Sequence, residues 1–97
     1  MKKVEQEKIL EQELKKRVER EGGLCLKLLS QHVTGLPDRL CLLPRGNIFF
    51  VEVKTTGKKP RKIQAIMHSR IEDLGFKVFV LDSTKVLNEI MNEHGVF

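Results

Sequence analysis

The sequence predicts an α/β fold: a mixed central sheet flanked by helices, in the order helix, three strands, helix, strand, helix. Three observations carry this expectation. Apolar residues recur at helical spacing over residues 4–21, 61–74 and 84–93. Between residues 24 and 55 the apolar runs are too short for helices and are punctuated by glycine and proline. The third strand, the second helix and the fourth strand form a crossover, which argues for parallel pairing there, whereas the turn before the third strand makes an antiparallel hairpin.

The first helix, residues 4–21, places Val4, Leu10, Leu14 and Val18 within one sector of about 120°. Gly22-Gly23 ends it, as glycine commonly does at a helix C-terminus. Glu7 falls in the middle of the apolar sector and Glu11 within it. An acid on that face is paired, protonated or metal-bound, unless the first turn frays into solvent. Residues 24–29 read as a strand with Lys27 set inside it, and residues 30–34 as a polar loop. Gly35-Leu36-Pro37-Asp38 is a turn, because proline fixes its own φ and holds the residue before it extended. A second strand over 39–43 leads into the hairpin turn Pro44-Arg45-Gly46-Asn47. The third strand, 48–55, opens with a near-continuous apolar run, as expected of a central strand buried on both faces. After the basic loop Thr56-Gly57-Lys58-Lys59-Pro60, a helix over 61–74 keeps Ile63, Ile66, Met67, Ile71 and Leu74 at helical spacing and stops at Gly75. Residues 76–81 form the fourth strand. Asp82-Ser83 then cap a last helix with Val86, Leu87, Ile90 and Met91 inward, as core or as a contact surface joined by Val96-Phe97. No repeat, linker or low-complexity segment divides residues 1–97, which are expected to form one domain.

A chain of 97 residues buries a thin core, so association with a second copy would add to it. Hydrophobic content of 40% beside 32% charged residues excludes a disordered chain and fits a soluble one. The apolar runs are far too short to span a membrane. The start Met1-Lys2-Lys3-Val4-Glu5 leads into charge rather than a signal segment, so a cytoplasmic location is expected. Cys25 and Cys41 lie in apolar runs and read as reduced core thiols. His32, His68 and His94 stand at no zinc-site spacing from them. The net charge of +5 is unevenly placed. Residues 1–21 nearly cancel, with seven basic and six acidic side chains. Residues 54–70 carry Lys54, Lys58, Lys59, Arg61, Lys62 and Arg70 with no acid, the pattern of either a phosphate-binding surface or a solvated basic loop.

The stretch from Gly35 to Lys54 concentrates the chemistry. Glu52 and Lys54, two apart on a strand, share one face, while the Val53 side chain takes the other and leaves its carbonyl near the same edge. Asp38 lies across the hairpin, where it can meet Glu52 at one end of the sheet. Two carboxylates there suit Mg²⁺ or Mn²⁺, which prefer oxygen ligands and keep several waters. The matching reaction is phosphodiester hydrolysis, with Lys54 positioning or deprotonating water or stabilising developing charge.

Gly35-x-Pro37-Asp38, thirteen residues, then Glu52-x-Lys54 resembles the PD-(D/E)XK nuclease signature. A glutamate-bearing first helix ending in Gly22-Gly23, Lys27 in the next strand, Lys58-Lys59-Pro60-Arg61, Gln64 and Leu74-Gly75-Phe76 narrow the resemblance. From about residue 5 to residue 90 the chain is similar to the VRR-NUC family, in particular its compact stand-alone members from phages and bacteria. The resemblance implies a restriction-endonuclease-like αβββαβ core with a C-terminal helix. It implies that Asp38, Glu52 and the Val53 carbonyl bind Mg²⁺ or Mn²⁺, that Lys54 is the catalytic lysine, and that Gln64 supports the site or the DNA backbone. The family's first-helix glutamate falls on Glu7, with Glu11 as the alternative one turn away. Lys27, Lys58, Lys59, Arg61 and Lys62 would contact nucleic acid. The substrate implied is branched DNA, a four-way Holliday junction for a homodimer or a flap for members fused to other domains, in a bacterial or phage-infected cell.

Two cuts across a four-way junction need two sites related by a two-fold axis, which a dimer supplies. With no Trp or Tyr there is no stacking platform for single strands, so recognition is expected through phosphates and shape. His68, beside Gln64 on one helix face, reads as a partly exposed histidine rather than one facing DNA. Lys27 either reaches the active site or stands exposed on an edge strand. The rival readings are a catalytically silent nucleic-acid-binding module of the same fold and a small protein whose basic helix meets an acidic partner.

Overall fold

The computed structural model describes residues 3–94, so the expectations for the Val4 side chain and for Val96 and Phe97 lie outside the described residues. Its elements are α1 (Lys3–Arg20), β1 (Leu24–Lys27), β2 (Arg39–Leu43), a 3-10 turn (Pro44–Gly46), β3 (Asn47–Val53), α2 (Lys62–Asp73), β4 (Lys77–Leu81) and α3 (Thr84–His94). The four strands form one sheet in the order β1-β2-β3-β4. β1–β2 and β2–β3 are antiparallel and β3–β4 is parallel, as the hairpin and the crossover predict.

β1 is shorter than the apolar run suggests. It stops at Lys27 because its only neighbour, β2, begins at Arg39, and the last rung is the Leu28 N–H donating to the Asp38 carbonyl at 2.9 Å. The hairpin closes with Arg45 at φ 70° and Gly46 at φ 73°, two left-handed residues that reverse the chain within three positions.

One face of the sheet carries the core. Leu10, Leu14 and Val18 of α1 and Leu87, Ile90 and Met91 of α3 pack on Cys25, Cys41, Leu43, Phe49, Val51, Val53 and Leu81. The apolar residues of α3 are therefore core. The rings of Phe49 and Phe79 meet edge to face, with centroids 5.6 Å apart, beneath these helices. Cys25 and Cys41 are cross-strand partners, buried and free, with sulfurs 3.9 Å apart. Ser83 caps α3 by accepting from the Val86 N–H at 3.2 Å.

The other face carries α2, and here the apolar pattern misleads. Of Ile63, Ile66, Met67, Ile71 and Leu74, only Ile71 is buried, and Ile66 is 54% exposed. The inward positions are Gln64, His68 and Ile71. The cause lies in the strand below: Glu52 is buried there, and an unsatisfied carboxylate costs more than two exposed isoleucines. α2 turns its hydrogen-bonding side chains to the acid.

Candidate active site

Register brings the two acids together. Arg39 pairs with Val51, so the next residues out, Asp38 and Glu52, face each other across the β2–β3 edge. Gly35, with φ +81°, lays the preceding turn against α2, and Pro37 is fully buried behind it. Asp38 is then fixed from its side-chain end: Oδ2 accepts the Val53 N–H at 2.8 Å. The Val53 amide thus anchors Asp38, one atom group away from the carbonyl expected as a ligand.

Glu52 is 1% exposed. Its Oε2 accepts from Gln64 Nε2 at 2.9 Å and lies 3.2 Å from Lys54 Nζ. Gln64 is held in turn, since its Oε1 accepts the Arg61 N–H at 2.9 Å at the start of α2. This second bond fixes which end of the amide faces Glu52. The other Glu52 oxygen, Oε1, is buried without a hydrogen-bond partner.

His68 corrects the sequence reading. It is buried, not partly exposed, and its Nε2 sits 3.7 Å from Glu52 Oε1. Desolvation holds its imidazole below the ordinary histidine range. The signal was present in the four-residue spacing from Gln64: once Gln64 faces inward, His68 must too.

The helix-borne acids have their own partners. Glu7 does not fray; its Oε2 accepts from the Thr55 N–H at 3.0 Å and Thr55 Oγ1 at 2.9 Å, tying α1 to the residue after Lys54. Glu11 Oε2 accepts from Arg39 Nε at 2.6 Å and lies 3.9 Å from Lys27 Nζ. Both acids still act on Asp38 through their charge. Lys27 stands on the edge strand with its side chain 56% exposed, so the edge-strand alternative describes its position. Lys58, Lys59, Arg61 and Lys62 are all exposed in the loop and first turn of α2. That loop is tied to the strand end after β4, where Asp82 accepts the Gly57 N–H at 3.1 Å through Oδ2 and the Thr56 hydroxyl at 2.9 Å through its carbonyl.

The charge balance here suits a cation. Desolvation pushes the Asp38 carboxyl up, with Glu11 and Glu7 adding to it. Desolvation and then Asp38 push the Glu52 carboxyl up. Lys54 stands against both. Two desolvated carboxylates facing each other fit a hard divalent cation. Among the described residues no three His, Cys, Asp or Glu side chains form a ready-made metal cage.

The raised carboxyls set a pH dependence. Their contribution to stability is full below the ordinary carboxylate range and is lost as pH rises through the raised values, because the folded chain holds these protons more tightly. A cation that competes with those protons binds more tightly over the same rise. At about pH 8, Mg²⁺ or Mn²⁺ at a hundredfold excess over its Kd is expected to raise Tm by roughly 10 °C. At about pH 4 the ion should have almost no effect. Differential scanning fluorimetry across that range, with EDTA as reference, measures it; equal shifts at both ends would place the ion elsewhere.

No protein-family model matches the chain. It is 45% identical over 74 residues to “Putative nuclease p44” of Acyrthosiphon pisum secondary endosymbiont phage 1, covering 76% of this chain and 80% of that protein. A solved VRR_NUC domain superposes with a TM-score of 0.84 at 40% identity, covering 92% of this chain and 96% of the other.

Proposed function

The chain belongs to the VRR-NUC family of nucleases, and from that premise we propose that it is a Mg²⁺- or Mn²⁺-dependent, structure-selective DNA endonuclease that resolves four-way junctions as a homodimer. The observation that carries this reading is the facing pair Asp38 and Glu52, the first half-buried, the second buried and both desolvated, with Lys54 3.2 Å from Glu52. A binding module has no need of such a pair, whose desolvation destabilises the fold.

Asp38, Glu52 and the Val53 carbonyl would hold the ion, with Glu7 or Glu11 acting through its water shell. When bound, the ion lowers the pKa of a water and offsets charge on the phosphoryl group. The protein's part is placement. Asp38 is locked by the Val53 amide and Glu52 by Gln64, so neither must reorganise as charge develops. Lys54, reaching Glu52 from the end of β3, holds a proton beside the reacting phosphate and balances its charge. Glu7, bonded twice to Thr55, fixes the backbone that follows Lys54.

Lys58, Lys59, Arg61 and Lys62 extend the site along the DNA backbone as phosphate contacts. Lys58→Ala with Lys62→Ala is expected to weaken binding of every DNA form alike. It should also lower the slope of log K against log salt by about 0.9 for each phosphate contact removed. Fluorescence anisotropy in EDTA at several salt concentrations measures this. An unchanged slope would make these lysines ordinary solvated charge.

Substrate preference is tested by offering labelled four-way junction, 5′-flap and linear duplex in Mg²⁺ or Mn²⁺. The proposal expects paired, symmetric cuts in the junction, and a sedimenting species of twice the 11.2 kDa chain mass. Preferential flap cutting by a monomer would replace junction resolution with flap cleavage. Tight binding with no cutting would favour the silent module.

A further inference from the structure

Helix α2 sets two polar side chains against the sheet, Gln64 and His68, four residues apart and hence one above the other on a single face. Both lie over Glu52. Gln64 Nε2 takes one carboxylate oxygen, Oε2, at 2.9 Å. The second oxygen, Oε1, and His68 Nε2 are the buried side-chain polar atoms left without a hydrogen bond among the described residues, and they face each other at 3.7 Å. Two lone pairs confronting one another in a dry space would repel. An Nε2–H opposite a carboxylate oxygen attracts at the same separation, and a small approach completes the bond.

We infer that His68 is a positioning residue that carries its proton on Nε2 and, with Gln64, holds the Glu52 carboxylate by one oxygen each. The two prongs leave the carboxylate no freedom to rotate, so its orientation towards Asp38 is set before any ion arrives. The same grip accounts for α2 leaving Ile63 and Ile66 exposed while two polar residues go inward. The role given to this clamp rests on the nuclease reading, but its geometry does not.

Long-range ¹H–¹⁵N NMR of the ion-free protein at about pH 8 reads the tautomer directly, with His68 signals assigned by their loss in His68→Gln. The Nε2–H form is expected; the Nδ1–H form would overturn the inference. Calorimetric titration with Mn²⁺ alone then compares wild type, His68→Leu and His68→Gln. His68→Leu should bind Mn²⁺ about 10- to 100-fold more weakly, and His68→Gln, which again offers an N–H, should recover most of that loss. Equal affinities in all three, or equal losses in the two variants, would contradict it. If His68→Leu does not fold, the tautomer and the glutamine variant still decide. A protein with the expected tautomer and Mn²⁺ pattern that cuts no DNA would sink the nuclease reading and leave the clamp. A cutting protein indifferent to His68→Leu would do the reverse, and a wild type that takes up no Mn²⁺ would overturn both.

Discussion

Glu52→Gln is expected to reduce divalent-ion-dependent cleavage by about a thousandfold or more while leaving the fold at least as stable. The two outcomes have one cause. Glu52 is 1% exposed and its carboxyl is pushed up chiefly by desolvation, so the charged form is held in the folded chain at a cost. An amide has nearly the same shape, removes the charge, keeps an oxygen for Gln64 and Lys54, and turns its NH2 to His68, whose ring accepts it by carrying its proton on Nδ1 instead. Thermal melts in EDTA at about pH 8 should therefore give a Tm unchanged or raised by up to roughly 5 °C, the shift that about 1 kcal/mol produces in a domain of this size. A fall of that size would mean that Glu52 serves the fold as a structural ion pair with Lys54.

Gly35→Ala is expected to destabilise the fold by about 2–4 kcal/mol in chemical denaturation. At φ +81° a side chain is strained, and an added Cβ would stand 2.6 Å from the Ile63 carbonyl oxygen and 3.3 Å from Met67 Cβ. The first is helix backbone and cannot rotate away, so the turn before Asp38 or the first turn of α2 must move. Either shift disturbs the site, because Asp38 lies three residues after Gly35 and Gln64 and His68 ride on α2. Ion affinity measured on the folded variant should therefore fall as well. A variant with wild-type denaturation midpoint and wild-type ion affinity would show that the close approach of this turn to α2 is not needed.

The sheet and its two acids were legible because their signals are local. Pro44-Arg45-Gly46-Asn47 fixes the hairpin, and the hairpin fixes that residue 38 faces residue 52. The period-2 rule then puts Glu52 and Lys54 on one side. Glu7 stood out as an acid on an apolar stripe and through the family resemblance, but its partner Thr55, 48 residues away, did not. The α2 face was misread for a related reason. Apolar periodicity assumes that burial is driven by hydrophobic surface, and here it is driven by the hydrogen-bonding needs of a buried carboxylate. Gln64 was singled out by the family resemblance alone, and His68 needed the burial of Gln64 before its own orientation could be inferred.

The most direct test of the account is cleavage of a labelled four-way junction by wild type and Asp38→Ala in Mg²⁺, in Mn²⁺ and in EDTA. The expected result is cutting by wild type with either ion, none in EDTA, and none by Asp38→Ala, although the variant still binds the junction. Cutting by Asp38→Ala at the wild-type rate, or by wild type in EDTA, would contradict a divalent-ion site built on Asp38 and Glu52.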